Sequence, residues 1–205
     1  MRHIRVDALI AVFVIGIGIA AVAAVLWGAV VSDGASGISV GDAATSSLAT
    51  STLATSSLVA LPLRLRIPTI GIDAHIKQVG VTSKGEMATP GNFTDVAWYK
   101  YGPKPGESGS AVIDGHVDNG LSLAAVFKRL HELKVGDEIF VDTEDAKTLH
   151  FVVTATKSYP YNEAPTNVIF NTDGAARLNL ITCTGSWLAG AHSYDQRLVV
   201  FTNLE

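Results

Sequence analysis

Cysteine is almost missing from this chain: one residue, Cys183, in 205. A lone thiol cannot close an intramolecular disulfide, so any fold must rest on its core, and Cys183 is either packed filler or a reactive group. Charge is sparse as well. Lysine and arginine total 15 against 19 acidic residues, and no basic block of the kind that grips phosphates is present, which sets nucleic acid aside as a partner. Paired metal motifs of the CxxC or HExxH type are missing, so a zinc site would have to be assembled from His116, Cys183 and His192. From Tyr159 to Ala176 the only carboxylates are Glu163 and Asp173, too few for a calcium ion that gathers six or more oxygens. No metal and no other cofactor is expected.

What the chain has in plenty is small and apolar. Ala8 to Val31 carries no charge, and about 24 such residues span ~36 Å as a helix, enough to cross a hydrocarbon core. Arg2, His3 and Arg5 precede the run and Asp33 follows it. The positive-inside rule therefore predicts a cytoplasmic N-terminus over 1–7, a transmembrane anchor over 8–31, and the remainder outside the membrane. A cleaved signal peptide is the competing reading, but its apolar region is usually about 7–15 residues. Residues 32–60 are mostly Ser, Thr, Ala and Gly with a few Leu or Val, and one pentad pattern repeats at Ala44–Leu48, Ala49–Leu53 and Ala54–Leu58. Such a tract cannot build a core and reads as a flexible stalk, roughly 30 Å end to end as a coil and roughly 95 Å when extended.

Residues 61–205 are ample for one domain. Short β-rich runs recur there between Gly, Pro, Asn and Asp: Leu63–Ile67, Ser110–Gly115, Glu138–Asp142, Leu149–Ala155, Leu178–Thr182 and Leu198–Thr202. Only Ser122–Leu133 reads as helix, with Leu123, Val126, Phe127 and Leu130 at helical spacing. Many short strands and one brief helix predict an all-β barrel or sandwich. Tyr159 to Ala176 reads as a long loop, the kind of element that often binds ligands.

Cys183 closes the run Leu178-Asn179-Leu180-Ile181-Thr182-Cys183, and Thr184-Gly185-Ser186 reads as a turn, so the sulfur is expected at a strand's mouth. Strand alternation puts Asn179, Ile181 and Cys183 on one face and Leu178, Leu180 and Thr182 on the other. A thiol nucleophile needs a base or cationic partner and donors for the oxyanion it creates. His116, ending an apolar run, and Arg197, just before Leu198-Val199-Val200-Phe201, are the candidates.

Taken in order, Asn179-Leu180-Ile181-Thr182-Cys183, an upstream Gly115-His116 and an arginine opening the last strand resemble the sortases. The stretches Val96-Ala97-Trp98-Tyr99, Pro105-Gly106-Glu107, Ala111-Val112-Ile113-Asp114-Gly115-His116 and Val135-Gly136-Asp137 extend the resemblance across roughly Leu63 to Asn203. It implies a closed eight-stranded β-barrel with one or two short helices behind the transmembrane helix. It also implies a membrane-anchored cysteine transpeptidase outside a bacterial cell. On this resemblance Cys183 attacks a Thr-Gly bond in a Leu-Pro-x-Thr-Gly-like sorting signal, His116 serves as general acid and then base, and Arg197 binds substrate and steadies the oxyanion. Thr182 is expected to support substrate binding through its backbone or hydroxyl. The acceptor would be an amine, expected on a cell-wall precursor, so that proteins become anchored at the surface.

Two departures stand out. Asn179 replaces the family's usual Thr at the start of the cysteine motif, and Asp114, two residues before His116, is placed to orient that histidine or to pair with Arg197. The short form with one anchor, Trp98-Tyr99 and Asp114-Gly115-His116 look most like classes E and F. The alternatives are a tethered β-barrel used for adhesion, and a hydrolase of the same fold that lacks transfer.

Overall fold

The computed structural model describes residues 59–205, so the anchor over 8–31 and nearly all of the stalk lie outside the described residues. Eight strands form one closed barrel: β1 (Pro62–Ile67), β2 (Ile72–Val79), β3 (Val96–Tyr99), β4 (Gly109–Asp114), β5 (Glu138–Thr143), β6 (Thr148–Pro160), β7 (Ala176–Leu188) and β8 (Ser193–Leu204). Around the barrel the order is β1-β2-β3-β4-β7-β8-β6-β5, closed by the antiparallel β1–β5 pair. Two pairs run parallel, β2–β3 and β4–β7.

Alternation explains the interior. Along β7, Leu178 and Leu180 turn inward to join Leu65, Ile67, Ile113, Phe127, Phe151 and Val200 in the main core. The opposite face of β4, β7 and β8 carries a second apolar cluster, Val112, Ile169 and Val199, with Tyr99, Tyr159, Ile181 and Phe201 packed against it. Ile169 comes from the single α-helix among the described residues, α1 (Thr166–Ile169), so the segment between β6 and β7 lies as a strap across the outer face of the sheet.

Three expectations change. The helix over Ser122–Leu133 is absent; that segment is a series of turns ending in a 3₁₀ turn at Leu130–Glu132. The reason is hydrogen bonding: the amides of Ala125, Val126 and Phe127 donate to the carbonyls of Val117, Phe93 and His116, not to residues four back. Phe127 and Leu130 still reach the core, but Leu123 is exposed. The loop expected from Tyr159 to Ala176 is shorter, because β6 runs through Pro160 and α1 interrupts the rest. Finally, neither Cys183 nor Arg197 sits at a strand end. β7 and β8 continue past both as a long hairpin, and Thr184-Gly185-Ser186 is a bulge in it, with Gly185 at φ +85°.

Candidate active site

Strand register pairs two of the three expected residues, and the third follows the end of a neighbouring strand. On β7 and β8, Cys183 lies directly opposite Arg197. On β4 and β7 the parallel ladder ends at Asp114 opposite Ile181, and the Gly115 amide extends it by donating to the Ile181 carbonyl at 3.2 Å. His116 follows directly after this last bond, two residues past the end of the Asp114–Ile181 pairing. Val112, Asp114, Ile181 and Val199 form the floor beneath these residues.

The turn that carries His116 is pinned from below. The Thr182 hydroxyl, fully buried on the inner face, donates to the Gly115 carbonyl at 2.7 Å. Residue 115 must be glycine, because a Cβ there would sit 2.5 Å from the Phe127 ring. Thr182 thus braces the peptide before His116, and its hydroxyl does not face the sulfur. His116 Nε2 lies 3.0 Å from the Pro90 carbonyl, and since a carbonyl only accepts, Nε2 carries the proton. Its ring packs against Phe93, centroids 5.1 Å apart. Both partners come from the segment between β2 and β3, whose residues carry no pattern that would place it here.

Arg197 is held by its own strand. Its guanidinium donates to the carbonyls of Tyr194 and Gln196 at 3.0 Å each and to the Ser193 hydroxyl at 2.9 Å, and it lies 5.9 Å from the Tyr161 ring centre. All these acceptors are neutral, so the full charge stays available to a developing oxyanion. Cys183 is partly buried, and burial pushes its thiol above the ordinary range; Arg197 pulls it back, while Asp114 and Asp118 push it further up.

Asp114 makes neither of the contacts expected of it. His116 is bonded to Pro90 and Arg197 to backbone carbonyls, which leaves the Asp114 carboxyl on the apolar floor. Desolvation raises its pKa to about 7, against the lowering effects of Arg197 and the Gly115 amide. Asp118 and Tyr194 were not foreseen. The Tyr194 hydroxyl donates to the Asp118 carboxylate, tying the segment after His116 to the start of β8. That bond is the main cause holding the Tyr194 phenol up at about 12. Asp118 lies two residues past His116 and was legible in principle; Tyr194, in a stretch of unpatterned polar residues, was not. His192 is exposed at the tip of the β7–β8 hairpin, remote in register from Cys183. Among the described residues no three His, Cys, Asp or Glu side chains cluster so as to hold a metal ion.

The site thus stands on a closed β-barrel in which a free cysteine faces an arginine across two neighbouring strands. The chain belongs to the sortase family, cysteine transpeptidases: the family's Sortase domain matches residues 65–205. Solved structures agree on the fold. Sortase A of Listeria monocytogenes is 22% identical with a TM-score of 0.53, the match covering 72% of this chain and 88% of that one. Sortase C-1 of Actinomyces oris is 25% identical with a TM-score of 0.53, covering 69% and 72%. A sortase D5 transpeptidase of Clostridium perfringens is 20% identical with a TM-score of 0.51, covering 71% and 79%. No curated protein matches the sequence.

Proposed function

We propose that this protein is a membrane-anchored transpeptidase that cleaves a Thr-Gly bond in a Leu-Pro-x-Thr-Gly-like sorting signal and transfers the acyl group to an amine. The observation that supports the reading is the β7–β8 register that pairs Cys183 with Arg197, with His116 two residues past Asp114, the last β4 residue paired with β7. The Cys183 thiol passes its proton to His116 Nδ1 as its sulfur attacks the Thr carbonyl carbon, and the C–O π pair moves to oxygen, where the Arg197 guanidinium meets the charge. As the tetrahedral species collapses, the C–N bond breaks and His116 gives its proton to the leaving Gly amine. The acyl group is left as a thioester on Cys183. An incoming amine then attacks that carbonyl, the C–S bond breaks, and His116 takes the amine's proton. A thioester reacts readily with amines, so the energy of the cleaved peptide bond is conserved without a nucleotide.

The signal runs over the half-buried Ile181, with the strap, whose Ile169 covers Val112 and Val199, as one wall. The Asn179 position and the likeness to classes E and F leave Leu-Ala-x-Thr-Gly as the second signal to compare. The anchor over 8–31 and the stalk over 32–60 hold the domain outside the membrane, within reach of exported proteins and of an amine on a cell-wall precursor.

The test uses the full-length chain in detergent, incubated with Leu-Pro-x-Thr-Gly and Leu-Ala-x-Thr-Gly peptides, with and without a glycine-based amine, and read by mass spectrometry. Expected are scission between Thr and Gly, an acyl adduct on Cys183, and an amine-linked product. Cys183→Ala is expected to abolish all three. Free acid alone in the presence of amine would make the protein a hydrolase, and no scission of either peptide by folded protein would overturn the reading.

A further inference from the structure

Past its last pairing with β7, the chain that carries His116 leaves the sheet. On one side of the histidine it is held through the Gly115 peptide, whose amide donates to Ile181 and whose carbonyl accepts from Thr182. On the other side, residues 117–124 fold mostly on themselves. The Asn119 side chain accepts from the amides of Leu121 and Leu123, both of which expose their side chains. Among the described residues, one hydrogen bond joins 117–124 to the β7–β8 hairpin, the Tyr194 hydroxyl donating to the Asp118 carboxylate.

Tyr194 makes a second bond with its backbone. Its carbonyl accepts from Arg197 Nη1 at 3.0 Å, next to the Ser193 hydroxyl that accepts from Nη2 at 2.9 Å. The ring between these two groups is fixed as well. Trp187, its register partner on β7, meets it edge to face with centroids 5.4 Å apart. The neighbouring bulge is locked in turn, because the Asp195 carboxylate accepts from the Ser186 amide at 2.7 Å and leaves no room for a Cβ on Gly185. One residue thus reaches from the histidine's segment to the guanidinium opposite Cys183. Its phenol, held up at about 12, keeps its proton through the neutral range, so the donor persists.

We propose that Tyr194 is a positioning residue for both arms of the site: its hydroxyl clamps the histidine segment through Asp118, and its carbonyl seats Arg197. It acts through His116 and Arg197 and not on the substrate. What it sets is the separation of proton carrier and cation across the thiol, and a misplacement of about 1 Å costs on the order of a hundredfold in rate. The Asp118 charge by itself works the other way. It pushes the Cys183 thiol up, so on charge alone its removal would favour the nucleophile, whereas loss of a clamp slows the reaction. The role of Tyr194 in turnover rests on the transpeptidase reading, while its hold on His116 does not.

The test compares the unaltered full-length chain in detergent with Tyr194→Phe, Asp118→Ala, Asp118→Asn and the Tyr194→Phe/Asp118→Ala double variant. The first readout is the ¹H–¹³C spectrum of ¹³C-labelled histidine, with His75, His131 and His150 as internal controls of the fold. Tyr194→Phe keeps the ring against Trp187, and is expected to shift or broaden the His116 resonance while the three controls stay in place. Asp118→Asn, which keeps an acceptor, is expected to recover the His116 signal that Asp118→Ala loses. The second readout is cleavage of the two signal peptides. Tyr194→Phe is expected to lower kcat roughly tenfold or more with KM changed less than about threefold, and the double variant to be no slower than either single one. An unmoved His116 resonance in folded Tyr194→Phe, additive losses in the double variant, or Asp118→Asn as impaired as Asp118→Ala would each overturn the proposal. If the unaltered chain cleaves neither peptide, the transpeptidase reading fails and the histidine spectra decide the clamp alone. If Asp118→Ala does not fold, Tyr194→Phe decides.

Discussion

Asp114 controls its neighbours from the floor of the groove without touching them. Its negative charge raises the Cys183 thiol, and the Arg197 charge lowers it. Replacing Asp114 by Asn is therefore expected to move the pH midpoint of Cys183 alkylation downward, and replacing Arg197 by Gln to move it upward. Iodoacetamide trapping across pH, followed by intact mass, reads both, and a shift of either in the opposite sense contradicts the electrostatics. In the sequence, Cys183, His116 and Arg197 are candidates because each stands at the edge of an apolar run. The partners of Asp114 could not be read in this way. Spacing put it on the same face as His116, yet Pro90 and the carbonyls of Tyr194 and Gln196 occupy the bonds it was expected to make, and they come from segments with no pattern of their own.

At the level of elements, the strap is the part most easily disturbed. It is tied down where β4 begins: the Gly109 amide donates to the Gly174 carbonyl at 3.2 Å, and the Ser108 hydroxyl to the same oxygen at 2.5 Å. Gly109 holds φ at +98°, and a Cβ there would lie 2.6 Å from the Thr172 carbonyl carbon. Gly109→Ala is expected to cost about 1–3 kcal/mol and to loosen the strap first, so that limited proteolysis cuts within 161–175 before the barrel unfolds. Simultaneous loss of the whole domain would show that the strap is not a separate unit. Strands with clear alternation were legible, β1 and the core of β7 among them. β2 alternates equally well, with Ile72, Ala74 and Ile76 buried, but its Asp, His and Lys hid it. The false helix at Ser122–Leu133 had the right spacing of apolar residues, but spacing carries no information on where the amides donate.

For the molecule as a whole, the titration of Asp114 opposes the usual acid response. Its folded pKa of about 7 lies above the unfolded value, so the folded state binds the extra proton and stability falls as pH rises through the interval from 3.8 to about 7. The fall is at most about 4 kcal/mol. Carboxylates held low by arginine, Asp142 beside Arg66 above all, act in the other sense and matter only below about pH 4. Thermal unfolding is thus expected to reach its highest midpoint on the acid side of neutrality, and Asp114→Asn to flatten the decline above it. A midpoint still climbing from pH 6 to 8 in the unaltered chain would refute this.

The eighth strand has a consequence for timing. It is the last strand in the chain, yet it lies between β7 and β6, and it supplies the arginine opposite the nucleophile. The histidine and cysteine arms meet across 67 residues of chain, through the bond from Thr182 to Gly115. Until β8 pairs with β7 and β6, the barrel has a gap where it belongs and the thiol lacks the Arg197 charge that lowers its pKa. The cation thus reaches the thiol only in the step that closes the barrel.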